Sequence, residues 1–269
     1  MNLARRMAGF TLVELIVVMV LAGIIASFVA LTIAQPIEGF IASSRRAALV
    51  DEAATALNRI TREVRLALPN SVRLSGTTAL EFLRTRSGGR YRATIDPAAA
   101  VAGLDLDFNA AQDTFEIIGQ AKEFGGICAA ASGNCGGASP ASSADCLAGN
   151  GIDCLVIFNT GQPADCAAMP SGRTNAYCGD NVAGIEAFDV AARTLSFVHD
   201  RAGGFEFQSP RQRFHVVDTP VSYLCSTATG NLTRYDGYPI AALQPNRLVK
   251  NQVRTRWISP GKAGRRLAI

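Results

Sequence analysis

The sequence predicts an α+β protein in which a long N-terminal helix packs on an antiparallel β-sheet that carries a Cys-rich loop insertion. Three observations carry this. An uncharged apolar run lies near the start, a helical apolar period follows it, and after residue 70 short runs alternate with turn residues. The 269 residues, 48% of them apolar, can fill a core, and no internal repeat or linker marks off a second globular domain.

Met1 to Gly9 holds Arg5 and Arg6 and no acid. Phe10 to Ala34 is apolar apart from hydroxyls and Glu14, and Leu15 to Ala34 carries no formal charge. Those 20 residues make ~30 Å of helix, enough to cross a bilayer core. The flanking arginines place the N-terminus on the cytoplasmic side. The run is longer than the apolar part of a secretory signal, and no small-x-small cleavage site follows it. A carboxylate near the start of a membrane helix costs about 2–3 kcal/mol, so Glu14 calls for a partner. Gly23 is a weak point in the run, and Pro36 and Gly39 predict a kink. From Ser43 to Leu68, Val50, Ala53, Leu57, Ile60, Val64 and Ala67 form an apolar stripe, with charges largely off it. Pro69-Asn70 ends the helix. The segments are then 10–34 for the membrane or filament-core half, 35–68 for the amphipathic half and 69–269 for the head.

In the head, Ser71–Leu74 and Ala79–Arg84 flank a turn and read as a hairpin. Tyr91–Ile95, Leu104–Phe108, Thr114–Ile118, Gly184–Val190, Thr194–His199, Gln212–Val217, Val221–Cys225 and Leu232–Tyr235 are further strands, and Leu155–Phe158 reads as a buried one. Residues 124–178 are rich in small and polar residues and hold Cys128, Cys135, Cys146, Cys154, Cys166 and Cys178. Cross-links would order such a segment, and they persist outside the cytoplasm. Six Cys allow 15 pairings, of which sequential pairs are the simplest. Zinc is disfavoured, because no C-x-x-C occurs and neither His lies in the segment. Cys225 is a seventh, unpaired candidate.

Charge and motifs exclude several function classes. The 26 basic and 22 acidic residues form no basic stripe with interleaved aromatics, so no nucleic-acid partner is expected. No nucleophile elbow, Walker A, zincin or dinucleotide motif is present, and His199-Asp200 alone makes no catalytic set, so the chain reads as no enzyme and no cofactor is expected. Asp105 and Asp107 would share one strand face and offer two oxygens to calcium, short of the six to eight it takes.

The segment Gly9-Phe10-Thr11-Leu12-Val13-Glu14-Leu15 resembles the cleavage and methylation signature of type IV prepilins and type II secretion pseudopilins. The resemblance implies a leader over 1–9, cleavage between Gly9 and Phe10 by prepilin peptidase, and N-methylation of Phe10. It also implies a type IV pilin-like fold, an inner-membrane protein with a periplasmic head, and partners among other major and minor pilins and the assembly platform. Cleavage would give Phe10 a cationic amine. Glu14 could then face the amine of a neighbouring subunit and set register, or pair with its own.

Arg45–Asp51, Leu66–Val72, Val221–Cys225 and Leu232–Tyr235 add a looser resemblance to the larger minor pilins of the mannose-sensitive haemagglutinin pilus system. That group implies a role in pilus initiation or at the tip. A minor pseudopilin of type II secretion is the alternative, and adhesion through the Cys-rich insertion is another. Members of that group end in further strands and a late Cys. Here residues 250–269 hold six basic residues, no acid and no Cys, an atypical basic tail that is either a truncated or shifted reading frame or a genuine basic tail with Cys225 as a free or intermolecular thiol. Without this tail and residues 1–9, the remainder has 18 basic and 22 acidic residues, a net −4 in place of +4.

Overall fold

The computed structural model describes residues 10–93, 104–108, 113–119, 124, 126–131, 142–161, 166–168, 171–200, 204–243 and 253–256. The chain forms two compact units, Met1–Thr55 and Ala56–Ile269. The leader, Gly9, Cys135 and most of the basic tail lie outside the described residues.

Helix α1 runs from Leu12 to Val64. The kink predicted at Pro36 and Gly39 does not interrupt it, because a single proline removes one backbone donor while the flanking ladder continues. The helix ends earlier than Leu68. Its last turn tightens to Leu66 N–H on the Glu63 carbonyl and Ala67 N–H on the Val64 carbonyl, both 3.0 Å. The chain then joins the sheet, with Leu68 N–H on the Leu83 carbonyl at 2.8 Å. Leu68 precedes Pro69, which disfavours helical backbone there.

The packed stripe is also shifted from the predicted one. In the second unit Ala56 is buried, and Ile60, Val64 and Ala67 pack against Phe82, Val221 and Tyr223. Leu57 is 62% exposed and, in the first unit, Val50 is exposed too. Positions 56, 60, 63–64 and 67 define the inward face, and Leu57 lies beside it.

The described residues of the head form an antiparallel sheet of nine strands in the order β1-β2-β3-β6-β5-β4-β7-β8-β9. They are β1 Arg73–Ser75, β2 Ala79–Tyr91, β3 Thr114–Ile118, β4 Cys154–Ile157, β5 Val182–Asp189, β6 Thr194–Val198, β7 Arg213–Ser226, β8 Asn231–Asp236 and β9 Val253–Arg256. Because β2 also pairs with β7, the circuit β2-β3-β6-β5-β4-β7 closes on itself. Closure leaves these strands fewer open edges than a flat sheet would have.

Several predicted strands change. Gln212–Val217 and Val221–Cys225 are one strand, β7, with Pro220 inside it. Proline cannot donate to a ladder, but here β7 changes partner: Phe214–Val217 pairs with β4 and Val221–Ser226 with β8. Pro220 lies between the two, where no donor is needed on that edge. β2 runs through Gly88 and Gly89 to Tyr91, absorbing the start of the predicted Tyr91–Ile95 strand. A side chain at Gly89 would strike the Phe214 ring, so glycine lets β2 pass close to that aromatic.

Leu104–Phe108 is not a strand. Leu106 N–H bonds the Arg92 carbonyl and the Leu104 carbonyl accepts from Glu116 N–H, which pins the segment locally and buries Leu106. Asp105 and Asp107 therefore do not share a strand face. The Cys-rich segment is more than a loop insertion, because it supplies β4, whose four residues are all buried. Within the basic tail, Val253–Arg256 forms β9 against β8, and the stretch 259–266 lies outside the described residues.

The main core gathers Tyr91, Phe115, Phe197 and Phe214, with Phe115 at 5.2 Å from Phe214 and 5.9 Å from Phe197 between ring centres. A second cluster holds Leu83, Val156, Val182, Val217 and both Cys146 and Cys154. Burying each large apolar side chain contributes ~1.5–3 kcal/mol, so these clusters dominate head stability.

Candidate assembly segment

Thr11 starts α1. Glu14 N–H donates to the Thr11 hydroxyl oxygen at 3.3 Å, and Leu15 N–H to the Thr11 carbonyl at 3.2 Å. The Thr11 hydroxyl in turn donates to a Glu14 carboxylate oxygen at 3.5 Å. Thr11 is thus the N-cap and Glu14 the third helical residue, the spacing of a capping box. The T-x-x-E pattern was legible in the sequence, but the reading of Glu14 as an assembly group passed over it. The negative charge also suits the exposed N–H groups at the helix start. Glu14 makes no ion pair among the described residues, so the cap leaves its charge unmatched.

Just beyond the cap, the helix from Leu12 to Val29 is uncovered. Leu12–Val29 has a mean hydropathy of 2.8 and none of it is buried, and Phe10 is 71% exposed. Its hydroxyls are satisfied within the helix: Ser27 donates to the Gly23 carbonyl and Thr32 to the Phe28 carbonyl, each at 2.8 Å. Such a segment is long and apolar enough to anchor in a membrane.

A family model described as the prokaryotic N-terminal methylation motif matches residues 4–30. Over that segment the chain is type IV prepilin-like. The motif implies processing by prepilin peptidase and assembly with pilins in general. No curated protein and no solved structure matches the chain. The N-terminal apolar helix followed by an antiparallel sheet agrees with a pilin-like fold.

The head adds its own fixtures. Cys146 is bonded to Cys154 and Cys166 to Cys178, each to its neighbour in sequence. Cys128 is also disulfide-bonded. Cys225 is free and exposed on β7. No three His, Cys, Asp or Glu residues lie together as a metal site among the described residues.

Buried charges in the head are paired. Arg234, 4% exposed, bridges Glu63 at 2.8 Å and Asp236 at 2.6 Å, and so ties the last turn of α1 to β8. Burial works against the Glu63 charge, but hydrogen bonds from Arg234 and Arg59 hold its pKa below the ordinary value. Arg73 pairs with the buried Glu81 at 2.6 Å and lies over the Tyr177 ring at 3.6 Å. Burial wins at Glu81 and raises its pKa. Asp218 is paired with Arg84 and Arg86, and Arg86 also reaches Asp153 at 3.2 Å.

Proposed function

We propose that the chain is a minor pilin similar to MshO of the mannose-sensitive haemagglutinin pilus system, cut by prepilin peptidase and incorporated into a type IV pilus at initiation or at the tip. Before extraction it sits in the inner membrane with the N-terminus cytoplasmic and the head periplasmic. The observation that supports this most directly is the uncovered apolar helix headed by Glu14. It is stable only where something covers it, lipid before assembly and neighbouring helices after it. The disulfides support a periplasmic head. The size of the second unit supports a terminal or initiating position, since a bulky head is harder to stack in a repeating array.

Two substitutions test the reading. Gly9→Val should leave the chain uncut, while Glu14→Gln should be cut but missing from sheared pili. Normal cleavage of the first refutes the processing site, and normal incorporation of the second refutes the assembly role of Glu14. Loss of protein secretion with intact pili would instead favour a J-like minor pseudopilin of type II secretion.

A further inference from the structure

A cleft of about 330 Å³ opens on the head between the loop after β4 and the start of β7. That volume falls in the range of small-ligand sites, roughly 300–1,000 Å³. One wall is Phe158, Asn159 and Thr160, and the other is Arg211, Arg213 and His215.

The first wall is fixed from several sides. Phe158 takes a φ of 56°, which turns the chain out of β4. Thr160 exchanges hydrogen bonds with Thr174: Thr160 N–H donates to the Thr174 carbonyl at 3.0 Å, and Thr174 N–H to the Thr160 hydroxyl at 2.8 Å. The Asn159 amide donates to the Pro69 carbonyl at 2.8 Å and accepts from Ala176 N–H at 2.9 Å. That leaves the amide one further donor and one acceptor position. Gly161, at a φ of 80°, lies so close to the Asn70 carbonyl that a side chain there would overlap it.

The second wall carries charge the fold does not use. Arg73, Arg84, Arg92 and Arg234 each meet a carboxylate. Arg211 and Arg213, both exposed, have no ion pair or hydrogen bond among the described residues. Arg213 and His215 stand two apart on β7 and so share a face. Burial, with Arg213 beside it, pushes the His215 imidazole pKa down. The ring is therefore neutral at pH 7, and the two arginines carry the positive charge.

We propose that this cleft binds a carboxylate-bearing saccharide, with Arg211 and Arg213 taking the carboxylate, Asn159 a ring hydroxyl and Phe158 the apolar face of the ring. The guanidinium fork matches a planar carboxylate, and an aromatic beside an amide suits a ring that has both C–H and hydroxyl faces. The site is independent of the assembly role proposed for α1 and adds a ligand to it.

The test is titration calorimetry on the full chain in detergent at low salt, since these charges are exposed and screened by ions. The probes are a glucuronate-terminated tetrasaccharide, an uncharged glucose tetrasaccharide and inorganic phosphate. The charged sugar should bind saturably and the uncharged one at least tenfold more weakly. Arg211→Gln with Arg213→Gln should weaken binding of the charged sugar at least tenfold. A control double, Arg62→Gln with Arg65→Gln, removes equal charge from the end of α1 and should leave binding unchanged. Near-UV circular dichroism matching the wild type checks that the variants are folded. The proposal fails if the charged sugar does not saturate, if the control double weakens it equally, or if phosphate displaces it at equal concentration.

Discussion

Replacing Asp153 by Asn should change how head stability depends on pH. Asp153 is buried beside β4, where it accepts Cys128 N–H at 2.8 Å and meets Arg86 at 3.2 Å. Burial is the largest influence and pushes its pKa from 3.8 up to about 6, with the neighbouring Asp218 carboxylate adding to the rise. Between these values the folded head holds a proton that the unfolded chain has already released. Stability from this group is therefore full below pH 4 and is lost as pH rises through 6. The gap corresponds to about 3 kcal/mol. An Asn there can still accept Cys128 N–H but has no charge to bury.

The assay is urea denaturation of the full chain in detergent at pH 4, 5, 6 and 7. Near-UV circular dichroism of the buried tyrosines Tyr91, Tyr177, Tyr223 and Tyr238 reports head packing. Glu63 and Glu81 are shared by both proteins, so they largely cancel in the difference between wild type and Asp153→Asn. Wild type should lose about 2.4 kcal/mol relative to the variant between pH 4 and 7. A flat difference, or wild type gaining with pH, would mean that Arg86 and the Cys128 N–H outweigh burial, and the reasoning would be wrong.

Arg234→Met should cost about 3–5 kcal/mol in the same denaturation assay, because it leaves Glu63 and Asp236 without their shared cation. Cys146→Ser with Cys154→Ser should cost about 2.5 kcal/mol through the freed unfolded loop, whose ends are 8 residues apart, again read from the urea midpoint. Thr11→Val should weaken the start of α1 by about 1 kcal/mol, seen as faster amide exchange over the first turn, yet still allow incorporation into pili. Glu14→Gln should block incorporation, so the two variants separate capping from assembly.

Much of the fold could be read because local pattern and tertiary structure agree. The apolar run and the helical period after it announce α1, and the turn at Gly76 announces the β1–β2 hairpin. β3, β5, β6 and β8 each fall within a residue or two of the runs that predict them. The misses occur where a distant partner decides. Gln212–Val217 and Val221–Cys225 read as two strands, yet Pro220 between them sits where β7 exchanges β4 for β8, an event that no local window contains. Leu104–Phe108 alternates like a strand, but its backbone is taken up by Arg92 and Glu116. The N-terminal methylation motif over residues 4–30 was legible because it is contiguous in sequence. The Arg211–Arg213 cleft was not, since an arginine is unmatched only with respect to the carboxylates the fold brings near it.

The cap at Thr11 also sharpens what Glu14 must do. A negative charge at the third helical position gains about 0.3–1 kcal/mol from the helix start. Carrying it into an apolar layer costs about 2–3 kcal/mol or more. The cap therefore explains where the carboxylate points, but it cannot offset burial among lipid tails or packed helices. A cation is needed, and residues 11–44 contain none. In the uncut chain the Phe10 nitrogen is an uncharged amide. On the proposed reading, cutting after Gly9 creates an amine at the same end of the helix as Glu14. Processing would then supply the partner that lets Glu14 enter the filament core charged, and so would place cleavage before assembly.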